Sequence, residues 1–148
     1  MSPLTGSGDV DLKPGQALRV NRLPLPREAV PEAQAGGGSP TIGHARLSVL
    51  EGVEIGVWEM SEGTMYDVES DEVFVVTAGH AVVVIGEQDG HPVRTAELAP
   101  GTVMRLSAGM RTTWTVTEPL RKVYLARPEE AGAPPAEPSA GTTRPPAP

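Results

Sequence analysis

Residues 63–85 constrain the fold of this chain more than any other stretch. They contain two short runs of β-branched and aromatic side chains, 72–77 and 81–85, separated by Ala78-Gly79-His80. Such side chains fit the pleated surface of a strand and disfavour a helix. The stretch therefore predicts two strands joined by a turn at residues 78–80.

Similar runs follow one another through the middle of the chain, which predicts an all-β domain. The other runs are 45–50, 54–60, 93–98, 103–106, 112–117 and 122–126. They recur roughly every 8–12 residues, and Asp89-Gly90 between two of them is typical of a hairpin turn. No apolar pattern follows the 3.6-residue period of a helix. We expect eight or nine short strands in a sandwich or a closed barrel.

Proline divides the chain into a folded middle and two looser ends. Thirteen of its 16 prolines lie outside residues 41–127, and proline cannot donate a backbone hydrogen bond. We expect residues 1–40 to form an N-terminal arm, disordered over 1–15 and extended against the domain over 16–40. The barrel is expected over 41–126, and a disordered Pro/Ala-rich tail over 127–148.

Composition limits the partners and the compartment. The formal net charge is −7, and because nucleic acids and anionic membranes attract clustered Lys and Arg, we expect neither as a partner. The chain has no cysteine, which excludes disulfides and thiolate nucleophiles. It has no transmembrane run and no secretory signal pattern, so a cytoplasmic location is predicted. A domain this small buries about 60–65% of its unfolded surface, so we expect a homodimer.

Two segments resemble the signature hairpins of the cupin family. In the first, Glu72 and Gly79 have the spacing of the motif's final Glu and Gly; in the second, Gly101, Gly109 and Thr112 occupy motif positions. Within cupins, the chain resembles the small group related to ureidoglycine aminohydrolase and the ethanolamine-utilisation cupins. That resemblance covers roughly residues 40–126 and rests on these pieces: Gly56-Val-Trp58-Glu, Asp71-Glu72-Val-Phe74, Pro100-Gly101, Ala108-Gly109, Thr113-Trp114 and Arg121-Lys122-Val-Tyr124. It implies a double-stranded β-helix, the jelly-roll barrel.

The chain departs from the cupin motifs where their metal-binding histidines stand. The two histidines of the first motif are replaced by Tyr66 and Val68 or, in the other register, by Met65 and Asp67. Thr112 replaces the histidine of the second motif. Glu72 alone cannot hold a transition metal, which needs several converging ligands. We therefore predict no metal and no cofactor, with Asp67 and Glu69 able to help only if their loop bends inward.

The three histidines are predicted to lie in solvent-exposed loops. His44 precedes a predicted strand, and His80 and His91 fall in predicted turns. None has the His-x-His spacing of a cupin motif.

Side-chain alternation along the strands predicts what fills the barrel. If Glu72 points inward, Phe74 and Val76 do too, and Tyr66 is expected to join them. If Thr112 points inward, so does Trp114. The predicted ligand-binding residues are Trp58, Phe74, Thr112, Trp114 and Tyr124. The alternative is that these aromatic rings only fill the core.

Glu72 has two interpretations. As a lone carboxylate in an apolar pocket it would act as a general acid or base, with Tyr66 and Lys122 as the other catalytic candidates. Alternatively, it pairs with Lys122 or an Arg across the sheet, or lies at the rim of the barrel in water. The first predicted function is a metal-free cupin that binds a small molecule in an apolar, single-carboxylate pocket. The alternative is a small enzyme, an isomerase, lyase or hydrolase, that uses Glu72.

Overall fold

The computed structural model describes residues 8–127, and these form an antiparallel β structure, as the sequence predicts. Two 3₁₀ turns, Val20–Arg22 and Glu32–Gln34, lie in the arm. The strands are β1 (Glu28–Ala29), β2 (Thr41–Leu50), β3 (Val53–Met60), β4 (Gly63–Val68), β5 (Glu72–Ile85), β6 (Arg94–Leu98), β7 (Val103–Leu106) and β8 (Arg111–Ala126). In this part of the chain no helix is long and apolar enough to cross a membrane.

Strand β5 is continuous, so the turn predicted at residues 78–80 is wrong. Ala78 and His80 keep their pairing with β8, while the register shifts around them and Gly79 takes a φ of 88°. A side chain at Gly79 would run into the Pro119 carbonyl of β8. The left-handed glycine therefore bends the strand without reversing it.

Strand β8 is also longer than predicted. The runs 112–117 and 122–126, predicted as separate strands, form one 16-residue strand. Pro119 lies at its bend, opposite Gly79, and has no partner in the strand ladder. A proline is tolerated there because the bend does not require its missing N–H donor.

The two bends let β5 and β8 serve in both layers of the barrel. In the first layer β1, β2, β3, the second half of β8, the first half of β5 and β7 lie side by side. The second layer contains, side by side, β4, the first half of β8, the second half of β5 and β6. Trp114 joins the layers, since its ring centroid lies 5.9 Å from those of Trp58 and Phe74. This is the jelly-roll barrel expected from the resemblance.

The N-terminal arm covers part of the outer face of the first layer. Leu25 packs with Ala45, Leu47 and Val57 in a small second core outside the barrel. Further along, β1 pairs with the start of β2.

Residues 8–12 differ from the disorder predicted for 1–15. The Val10 and Leu12 N–H groups donate to the carbonyls of Arg46 and Leu47, at 2.8 and 2.9 Å, so this segment lies along the edge of β2. The tail predicted over 127–148 lies outside the described residues apart from Arg127.

Candidate functional site: a polar cluster inside the barrel

The loop between β4 and β5 turns Glu69 into the barrel. The Glu69 N–H donates to the Met110 carbonyl at 2.8 Å, and its carbonyl accepts from the Gly109 N–H at 2.9 Å. The Asp71 carboxylate accepts from the Ala108 N–H at 2.9 Å. The two loops that carry the cupin motifs therefore hold each other, and Glu69 becomes 91% buried by this arrangement.

Glu69 shares a hydrogen-bonded triangle with two side chains of β8. Its Oε2 accepts from Thr112 Oγ1 at 2.6 Å and from Trp114 Nε1 at 3.1 Å, and the two β8 atoms lie 2.9 Å apart. Burial raises the pKa of Glu69 to about 7, assisted by the nearby charge of Asp67. Near neutral pH this carboxyl can therefore either give or take a proton.

Asp67 lies beside this triangle, opposite Thr112 in the β4–β8 register. Its Oδ1 accepts from the Val68 N–H at 2.8 Å and from Gln34 Nε2 of the arm at 3.2 Å. Desolvation raises the pKa of Asp67 as well. The arm thus contributes a side chain to the polar end of the barrel.

Glu72 and Lys122 form a buried ion pair on facing strands. Lys122 Nζ lies 2.6 Å from Glu72 Oε2, and both side chains are more than 90% buried. The ammonium also lies over three aromatic rings, 4.1 Å from the centroid of Phe74, 4.7 Å from that of Trp58 and 4.8 Å from that of Trp114. Each ring face attracts the positive charge. Of the two interpretations of Glu72, the structure shows the pairing with Lys122.

The polar cluster thus consists of Asp67, Glu69, Glu72, Thr112 and Lys122.

The chain matches a known family of cupins. The EutQ-like cupin domain matches residues 47–124, which is more than half of the 148 residues. The chain belongs to the EutQ-like cupin family.

Solved structures agree with this cupin assignment at the level of the fold. The EutQ protein of Clostridium difficile is 22% identical over 68% of this chain and 80% of its own, with a TM-score of 0.51. A protein assigned as ethanolamine utilization protein Q of Salmonella typhimurium LT2 is 17% identical over 69% and 80%, with a TM-score of 0.51. A Pseudomonas syringae protein of unknown function is 19% identical over 70% and 44%, with a TM-score of 0.54. No curated protein matches the chain.

The positions where cupins hold metal do not fit a transition-metal ion in this EutQ-like cupin. Met65 is buried opposite Trp114 and Asp67 is partly buried opposite Thr112, whereas Tyr66 is exposed, so the Met65 and Asp67 register applies. Glu72 is engaged by the Lys122 ammonium, and Thr112 donates to Glu69. A divalent ion beside that ammonium would be repelled. Within residues 8–127 no three His, Cys, Asp or Glu side chains are grouped to hold a metal.

Most of the predicted ligand-binding residues point inward, but they are tightly packed. Trp58, Phe74, Thr112, Trp114 and Tyr124 are each less than 5% exposed. The Tyr124 hydroxyl donates to Glu54 Oε2 at 2.6 Å, away from Lys122. These aromatic rings therefore form the wall of the cupin core and support the cluster.

Two expectations about the site are wrong. Tyr66 is 49% exposed because Met65, its neighbour in β4, takes the inward place. It lies outside the cluster and cannot share chemistry with Glu72. The pocket is also not a single-carboxylate one, since Glu69 and Asp67 join Glu72.

His44 is likewise not a loop residue. It lies within β2 opposite Trp58 and is 9% exposed, and its Nδ1 has no hydrogen-bond partner among the described residues. Burial lowers its pKa, which favours the neutral ring. His80, on β5, is exposed as expected and pairs with Glu118 at 2.9 Å, and the exposed His91 follows the Asp89-Gly90 turn.

Sequence reasoning missed Glu69 as the centre of the site. It lies in a loop, where alternation says nothing about direction, and its burial depends on hydrogen bonds to Gly109 and Met110, which are distant in sequence. The available signal was the crowding of acids over 67–72 in a motif that normally places ligands inside the barrel.

Proposed function

We propose that this EutQ-like cupin binds a small organic molecule at the polar end of its barrel and does so without a metal ion. The observation that carries the proposal is the concentration of buried Glu69, Glu72 and Lys122, with the partly buried Asp67 beside them, in a largely apolar interior. Burying charged groups costs free energy, and apolar side chains of similar volume are often as stable or more so. Such a cluster is therefore better explained by binding than by folding.

The chemistry of the cluster favours ligands that donate hydrogen bonds. Three carboxyl groups face one ammonium, so the cluster carries excess negative charge whenever Glu69 is ionised. A protonated amine, an amide or a polyol would satisfy these acceptors. Gln34 of the arm contacts Asp67, and we expect a ligand to enter beside this contact.

The test uses the intact, chelator-treated protein and a panel of small amines, amides and polyols. Both tryptophans of the chain contact the Lys122 ammonium, so indole emission reports binding directly. We expect at least one compound to change the emission saturably, and Glu69→Gln to weaken it at least 10-fold. The matched control Glu97→Gln, on an exposed position of β6, is expected to bind as the wild type does. Binding that appears only when a divalent metal ion is added back, or that Glu69→Gln leaves unchanged, would contradict the proposal.

A second function, acid–base catalysis, is favoured by the pKa of Glu69 near neutrality. This shifts the enzyme hypothesis of an isomerase, lyase or aminohydrolase-like reaction from Glu72, which is engaged by Lys122, to Glu69. The matched test is turnover of any bound compound by wild type, Glu69→Gln and Glu97→Gln. Turnover that persists in Glu69→Gln would exclude this role.

A further inference from the structure

The Lys122 ammonium lies inside the barrel, beside a residue of the first cupin motif. It contacts Glu72, the one acidic residue that this chain shares with the metal motif, at 2.6 Å. Three aromatic ring faces, those of Trp58, Phe74 and Trp114, surround it at 4.1–4.8 Å from their centroids. A carboxylate and several rings around a point form the environment that selects a cation.

Lys122 reaches this place because of its position in the sheet. It lies on β8 between Trp58 of β3 and Val76 of β5 in the ladder, so its side chain projects into the barrel from the middle of the first layer. The side chain is 4% exposed. The ammonium is therefore largely shielded from bulk water, and the protein itself must balance most of its charge.

We propose that Lys122 is the resident cation of this barrel: its ammonium neutralises Glu72 in place of a metal ion and holds the three rings around the site. The ammonium is attached to the chain by four methylenes, so it is always present and cannot be removed by a chelator. This proposal concerns the charge inside the barrel and does not depend on any ligand or on the proposed function.

The sharpest test rebuilds the cation chemically. The chain has no cysteine, so Lys122→Cys introduces a unique thiol. Alkylation of the unfolded variant with 2-bromoethylamine forms a C–S bond, releases bromide and gives a lysine isostere with sulfur in place of one methylene. Alkylation with 2-bromoethanol gives the matched neutral side chain of the same length. Both products are then refolded.

We expect the aminoethyl product to approach the Tm and the indole emission of the wild type. The hydroxyethyl product is expected to melt about 10 °C lower and to show changed emission, because a buried carboxylate is left without its partner. Equal recovery by both products, or recovery by neither, would overturn the proposal. Saturable binding of Mn²⁺ to the chelator-stripped wild type with altered emission would overturn it as well.

A second pair of variants covers the case in which the cysteine variant does not refold. Lys122→Met removes the charge and keeps the stem, and Glu72→Gln added to it removes the stranded carboxylate. We expect the double variant to regain most of the Tm lost by Lys122→Met. A double variant that melts no higher than the single one would show that the ammonium does not serve to neutralise Glu72.

Discussion

Two neighbouring residues of β8 hold two buried ionic clusters on opposite faces of the same sheet. Lys122 points into the barrel, towards Glu72. Arg121 points outward and donates to Glu59 Oε1 at 2.5 Å and to the carbonyls of Val20 and Leu23 at 2.6 and 2.7 Å. Arg27 of the arm also pairs with Glu59.

The two clusters differ in how fully the protein satisfies them. The outer guanidinium has three oxygen partners: Glu59 of β3, and the carbonyls of Val20 and Leu23, which fasten the arm to β8. Among the described residues the inner ammonium has one oxygen partner, and aromatic faces supply the rest of its surroundings. The outer cluster, which has more partners, stabilises structure, whereas the inner cluster keeps donors and acceptors that a ligand could use. The outer cluster anchors the arm, whereas ligand recognition by the inner cluster stays a proposal.

The largest effect is expected from the outer cluster. Arg121→Ala removes the anchor of the arm and should lower the free energy of unfolding by about 3–5 kcal/mol, measured by urea denaturation. Limited proteolysis should then cut within residues 8–40. Arg22→Ala, an exposed arm residue, is the control and should change neither. If Arg121→Ala lost stability but its arm stayed resistant to protease, Arg121 would not be the anchor of the arm.

The inner cluster should instead respond to pH through Glu69. Its folded pKa, about 7, lies above the ordinary 4.5. The folded state therefore holds the proton more tightly, and this stabilisation is present below pH 4.5 and lost as the pH rises to about 7. Relative to Glu69→Gln, the wild type should lose on the order of 3 kcal/mol across that range. The measurement is urea unfolding of both proteins between pH 4 and 8, and a constant difference would contradict the assignment.

A smaller effect is expected from the hydroxyl that supports Glu69. Thr112→Val removes the 2.6 Å hydrogen bond to the carboxylate and should cost about 1–2 kcal/mol. It should also raise the pKa of Glu69 further, because that hydrogen bond favours the charged form. Thr115→Val makes the same substitution at an exposed position of the same strand. It controls for the change in β-strand propensity. Equal effects of the two substitutions would mean that the triangle does not stabilise the site.

The smallest effect is expected where an ion pair is exposed. Glu118→Gln breaks the contact with His80 at the bend, and pairs of this kind contribute about 0.2–1 kcal/mol at most. Thermal melting at pH 6 and pH 8 should differ from the wild type by no more than a few degrees. A large loss of stability would show that this exposed ion pair contributes as much as the buried clusters do.

The sequence was a good guide to strand content and to the barrel, because β-branched runs and motif glycines are local signals. It divided β5 and β8 wrongly, because Gly79 and Pro119 have the same appearance in the sequence at a bend as at a turn. Alternation placed Phe74 and Trp114 inside correctly. It failed at Tyr66, where the choice between two registers depends on pairing with β8, and at Glu69, whose direction depends on a distant loop. The cytoplasmic location and the homodimer stay predictions.

The bends at Gly79 and Pro119 have a consequence for how this protein unfolds. Because β5 and β8 each pass through both layers, neither layer can separate from the other without breaking two long strands at once. The barrel has no half that could survive alone, so amides in the two layers should exchange with solvent through the same global opening. A ligand that tightens the polar end would then slow exchange throughout the barrel, including the ladder beneath the arm.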